Sequence, residues 1–256
     1  ITRRHLLGAA AGLAGSFALG ASASGQSATP ETDAASPWSY TDVLGTEMTL
    51  PQPPVRIAAN LVTAAALWDL GIEPVAVFDW TASAYPEGDH IAWGNIDPEA
   101  VANIGDIDGN IQPEQLLEVE PDVVLTLTFR NDDPGQIGGI PLDFLETINA
   151  IAPVLVVTDM GPTDVQLQRL VDLAASLGAD LSLPEIVAAQ DAYTAKVEEF
   201  REVAAAQAGL ATLFVNFDED AIYIGGPGGV AELQFLASLG LTFANADAEA
   251  AGDFWE

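Results

Sequence analysis

From residue 55 onward, short continuous apolar runs alternate with stretches whose apolar positions recur three and four residues apart. The runs are 55–59, 74–78, 122–127 and 154–157, and each is bounded by Pro, Gly or charged residues. Runs of this length, rich in Val and Ile, predict strands buried on both faces. The intervening stretches 61–70, 113–119 and 141–148 predict helices. Gly71 stands where the first helix should stop, and Pro113 is preset for the first turn of the second. Regular alternation of this kind predicts a parallel sheet covered by helices.

The rhythm changes after residue 160. Residues 164–177 form an amphipathic pattern, with Leu167, Leu170, Val171, Ala174 and Leu177 on one face and Gly178 after it. Pro184 then opens a long helical run to about residue 208, along which Ile186, Tyr193 and Phe200 recur every seventh position with Val197 and Val203 nearby. At 1.5 Å per residue this helix is about 36 Å long, enough to run the length of a domain. After Gly209 come strand-like runs at 211–217 and 221–224, glycines between 225 and 229, and a helix over 230–239 ended by Gly240. The expected architecture is α/β: two Rossmann-like lobes with parallel sheets, joined by one long helix, the second lobe cut short. In residue numbers, 38–160 form the first lobe, 161–209 the helical segment, and 210–256 the start of the second lobe.

Composition narrows the function classes. Seven Lys+Arg face 38 Asp+Glu, for a formal net charge of −31. A surface this acidic repels phosphate backbones, so no nucleic-acid partner is expected. There is no cysteine, which excludes disulfides, thiolate metal sites and a cysteine nucleophile. With His5 and His90 as the only imidazoles, a histidine metal cage is out of reach and no metal site is expected. Residues 1–23 read as an export signal: the Arg3-Arg4 pair, an apolar run from Leu6 to Leu19, and the small-residue site Ala21-Ser22-Ala23. The twin arginines predict export by the twin-arginine route, to the periplasm or the outer face of the cell membrane. Residues 24–37, rich in Ser, Thr, Ala and Pro, read as a flexible linker.

Several local motifs then fall in an informative order. Arg56-Ile57 leads to Leu70-Gly71-Ile72-Glu73-Pro74-Val75; later come Asn103-Ile104-Gly105, Asn110-Ile111-Gln112-Pro113-Glu114-Gln115-Leu116-Leu117, Glu120-Pro121-Asp122-Val123-Val124 and Ile151-Ala152-Pro153-Val154. Together they resemble the helical-hinge class of ABC-importer substrate-binding proteins, which carry ferric siderophores, cobalamin or haem. The resemblance runs from about Trp38 to Glu256. It implies a monomeric, non-enzymatic protein that captures a small metal chelate, a ferric siderophore first among the candidates, and delivers it to a permease dimer with its ATPase. It implies no resident cofactor. It also implies that Glu114 docks onto the permease, whereas composition alone would make Glu114 an ordinary exposed acid in a helix's first turn.

In open α/β sheets a ligand sits outside the carboxyl ends of the strands. That rule selects Asn60, Trp80, Tyr85, Trp93, Arg130, Phe217 and Tyr223 as ligand-binding candidates, and Trp255 resembles a cleft aromatic. Rings on loops offer flat apolar area at little entropic cost. Arg130 follows a buried strand, and its guanidinium suits an anionic chelate. Simple surface packing for the aromatics, and a salt bridge to the adjacent Asp132 or Asp133 for Arg130, are the plain alternatives. A different function class rests on Gly226-Pro227-Gly228-Gly229-Val230-Ala231, which fits a dinucleotide fingerprint between strand and helix, with Asp247 and Glu249 near the ribose-binding position. It would make the protein an exported oxidoreductase using a nucleotide cofactor. No G-x-S-x-G elbow or H-E-x-x-H motif supports a hydrolase.

Overall fold

The computed structural model describes residues 37–128, 137–159, 161–217 and 222–245. The first element is a hairpin that the apolar pattern did not predict: β1 (Trp38–Thr41) pairs antiparallel with β2 (Glu47–Leu50). Its strands are four residues each and bury only part of one face, so they leave no long apolar run. Trp38 anchors the hairpin; the ring is buried, and its indole N–H donates to Ser176 Oγ at 3.2 Å.

The sheet predicted from the apolar runs is present and parallel. Its strands are β3 (Ile57–Asn60), β4 (Ala76–Phe78), β5 (Ala102–Asn103), β6 (Val123–Leu127) and β7 (Val154–Thr158), in the order β5-β4-β3-β6-β7. β5 was not predicted, because two residues form no periodic signal. Period-two alternation divides the core. Ile57, Ala59, Val77, Val123, Leu125, Leu155 and Val157 face one layer of helices, while Ala58, Ala76, Phe78, Val124 and Val154 face the other. The first layer is α1 (Leu61–Asp69) and α5 (Thr163–Ser176), which bury Leu61, Leu67, Leu170 and Leu173. The second is α3 (Pro113–Val119) and α4 (Leu142–Ile151), which bury Leu116 and Ile148. Each such fully buried Leu or Ile contributes about 1.5–3 kcal/mol of transfer free energy. A short α2 (Trp80–Ala84) follows β4.

The β7 edge would otherwise expose unpaired backbone. The turn of the first hairpin covers it: Val43 N–H donates to Val156 O at 3.0 Å, and Val156 N–H donates to Asp42 Oδ2 at 3.2 Å. The other Asp42 oxygen accepts from Leu44 N and Thr46 N. One buried carboxylate thus closes its own turn and caps the neighbouring strand.

The long helix is α6 (Pro184–Ala206), 23 residues and about 35 Å. Only Ile186 and Ala204, near its two ends, are buried. Along its length Tyr193 stacks on Phe235 of α7 (Ala231–Ser238), with ring centroids 6.5 Å apart. Beyond α6 the chain returns to strand. β8 (Phe214–Phe217) and β9 (Ile222–Gly225) pair antiparallel, unlike the parallel pairing expected for this part. The reason is connection length: a parallel pair needs a crossover of a dozen or more residues, and only 218–221 separate these strands. Val230, Leu233 and Phe243 form a small separate core below them.

Candidate functional site

Parallel strands place all their carboxyl ends on one edge. The chain lays down β3, moves outward through β4 and β5, then returns to the other side of β3 for β6 and β7. The switch point therefore lies between β3 and β6, the place where open α/β sheets generally receive ligands. Along this edge stand Asn60 after β3, Asp79 and Trp80 after β4, Gly105 after β5, Thr128 after β6 and Asp159 after β7.

Asn60 and Asp79 are the organisers of the edge. Asn60 is 2% exposed, and its Oδ1 accepts from Val62 N–H as the cap of α1. Its Nδ2 donates to Asp79 Oδ2 at 3.1 Å, and Asp79 Oδ1 caps α2 by accepting from Thr81 N–H at 2.8 Å. The predicted ligand residue Asn60 is thus a buried brace: both ends of its amide are already engaged within the protein.

The Asp79 brace sets Trp80 at the first position of α2, outside the core and 55% exposed. Tyr85 ends the same helix and is 38% exposed. His90 completes the group, its ring centroid 4.9 Å from Tyr85 and 6.4 Å from Trp80. Nothing in the sequence marks His90 as a site residue beyond the rarity of histidine. Its Nδ1 accepts from Ala92 N–H at 3.2 Å, which holds the ring in the turn. Trp93 is a correction: it is 2% exposed and packs in the first core layer, so it offers no ring to a ligand. Its indole N–H donates to Tyr85 O at 2.8 Å, so it supports the ledge from beneath. The aromatic spacing of residues 80, 85 and 93 looked alike in sequence; only tertiary packing sent one of the three rings inward.

The loop after β5 abuts this ledge. A Cβ on Gly109 would lie 2.2 Å from Trp80 N, and Gly109 has a φ of +84°, so only glycine lets the two loops meet. Asp106 folds the loop, accepting from Asp108 N and Asn110 N with one oxygen and from Gln112 Nε2 with the other. This leaves Ile107 and Asp108 exposed at the tip. At the β7 end, Asp159 is held by Gln166, by Gly161 N–H and by an ion pair with Arg169 at 2.9 Å.

The remaining candidates divide. Phe217 ends β8 and is 71% exposed, beside an equally exposed Ile222. Tyr223 lies within β9 opposite Asn216 and is half-buried. Arg130 and Trp255 lie outside the described residues, as do the signal, most of the linker, Asp247 and Glu249. Glu114 is exposed in the first turn of α3. The glycine motif does lie between β9 and α7, closed by Gly229 N–H to Gly226 O at 3.1 Å. However, β9 pairs antiparallel with β8 and has no parallel partner among the described residues, so the parallel strand–helix–strand setting of a dinucleotide fingerprint is not seen among them. Among the described residues no group of three potential metal ligands occurs, and no helix is long and apolar enough to cross a membrane.

Solved structures give the comparison. DesE, a ferric-siderophore receptor protein from Streptomyces coelicolor, is 28% identical with a TM-score of 0.75, over 86% of this chain and 74% of DesE. The chain has the fold of the helical-hinge substrate-binding proteins and is similar to their siderophore-binding members. SirA of Staphylococcus aureus, solved with staphyloferrin B, shares the fold at 23% identity and a TM-score of 0.55, over 82% of this chain and 65% of SirA. PiuA, an iron uptake ABC transporter substrate-binding protein from Streptococcus pneumoniae, shares it at 18% identity and a TM-score of 0.52, over 81% of this chain and 66% of PiuA. No protein-family model and no curated protein matches the chain.

Proposed function

We propose that this protein binds a ferric-siderophore type chelate outside the cytoplasm and delivers it to the permease of an ABC importer. The likeness to DesE carries the reading. The carboxyl edge supports it independently: Trp80, Tyr85 and His90 offer flat apolar area at the place where an open α/β sheet receives ligands. Binding by such a surface is capture without chemistry. The protein holds the ligand by shape and by a few directed polar contacts, as a monomer, and releases it at the permease with its ATPase. Glu114, exposed on α3, is the docking acid of this lobe. Cobalamin and haem remain within the ligand class, although His90, held in its turn by Ala92 N–H, is a poor axial ligand by itself.

Native mass spectrometry with visible absorption tests the proposal. The full-length mature protein is titrated with ferric siderophores, cobalamin, haem and, as control, NAD(P). Stoichiometric uptake of an iron chelate is expected. Binding of NAD(P) alone would instead make the 226–231 turn the working site and the protein a cofactor-dependent enzyme.

A further inference from the structure

The sign of the ligand's charge can be read from the same edge, and the inference rests on the capture reading above. The ledge is bordered by acids. Asp79 lies directly before Trp80, Asp89 directly before His90, and Asp108 directly before Gly109, whose backbone packs against Trp80. Asp89 and Asp108 are both exposed. Asp79 and Asp106 are already fixed by hydrogen bonds within the protein.

The described cations are already paired or hydrogen-bonded, and the one on this edge, Arg169, stands at its β7 end, three strands away from β4 and the ledge. Arg56 donates to the carbonyls of Val119 and Glu120 at the C-terminus of α3, on the amino side of the sheet. Arg169 pairs with Asp159, and its Nη1 lies 2.9 Å from the carboxylate. Lys196 and Arg201 pair with Glu199 and Glu198 along α6. Among the described residues, no cation stands beside Trp80, Tyr85 and His90. The whole chain, at a formal −31, would also slow the approach of an anion and favour that of a cation.

We infer that the site selects a ferric chelate of neutral or positive net charge and discriminates against anionic chelates. The apolar ledge supplies the bulk of the affinity, because rings accept flat ligand surfaces whatever their charge. The acids supply the discrimination, because like charges at short range repel even when partly screened. A cationic chelate also gains from the faces of Trp80 and Tyr85 through cation–π attraction.

The test is a titration of the full mature chain, followed by tryptophan fluorescence, with three ferric complexes of similar size. They are a tris-hydroxamate bearing a free ammonium (monocationic), an uncharged tris-hydroxamate, and a tris-catecholate (trianionic). The first two should bind at least about ten-fold more tightly than the third. Raising the salt concentration should weaken the monocationic complex and narrow the gap to the trianionic one. In a protein carrying Asp89→Asn and Asp108→Asn, the affinity ratio of monocationic to uncharged complex should fall about five-fold. Equal affinity for all three, an unchanged ratio in the double variant, or tightest binding of the trianionic complex overturns the inference. If tightest trianionic binding is then lost in Arg130→Gln, that arginine governs the site instead. Failure of all three complexes to bind has a different meaning, since it removes the capture reading itself.

Discussion

At the residue scale, Trp80 and Trp93 show how one residue type serves opposite purposes within one loop. Trp80 follows an aspartate that caps its own helix and is 55% exposed, whereas Trp93 fills the layer over α1. Trp80→Ala is therefore expected to change stability by no more than about 0.5 kcal/mol, because it removes surface area outside the core. It should weaken chelate binding about ten-fold, the loss of one stacked ring face. Trp93→Ala should do the reverse, costing about 3–5 kcal/mol through the cavity it leaves. Denaturant unfolding beside a fluorescence titration checks both; equal affinity loss without destabilisation in Trp93→Ala would show that its ring is a ligand contact after all. The candidate list drawn from the sequence could not make this distinction, since a tryptophan's burial depends on neighbours remote in the chain. Asn60 makes the same point: its position at a strand end was legible, but its partner Asp79 comes from the next strand.

Elements were the most legible scale. Every apolar run that predicted a strand in the first lobe became one, and the helices of that lobe fall within a few residues of their expected bounds. Buried parallel strands carry a continuous apolar run, and Pro, Gly and Asn mark the boundaries around them, so the signal is local. β1, β2 and β5 escaped because they are short and stabilised by partners, not by their own pattern. Element position also frames the docking proposal. Glu114 lies on α3, whose N-terminus follows the β5 loop, and its carboxylate is free to reach a partner. Glu114→Gln is expected to leave the ligand titration of the isolated protein as it is and to reduce chelate uptake by cells at least about five-fold, the value of one charge-assisted contact. Transport and titration on the same variant separate the two roles, and a loss of ligand affinity would sink the docking one.

At the scale of the molecule, α6 is expected to limit how far the protein can move. A helix of 23 residues hydrogen-bonded along its whole length bends little, so closure about a ligand should be small. Small-angle scattering of ligand-free and chelate-loaded mature protein should give nearly superimposable curves; a marked compaction would show that α6 does not act as a stiff spacer. The sequence alone determined the α/β class, the order of strands and helices, the long helix and the acidic charge, because each of these follows from periodicity, punctuation or composition within a short window. Tertiary structure decided the rest. It set the strand order that creates the switch point, turned β8 and β9 antiparallel, sent Trp93 into the core, and brought His90 to Trp80 and Tyr85. Those outcomes depend on which surfaces meet once the layers pack, and residues far apart in the chain carry no mark of that meeting in their local pattern.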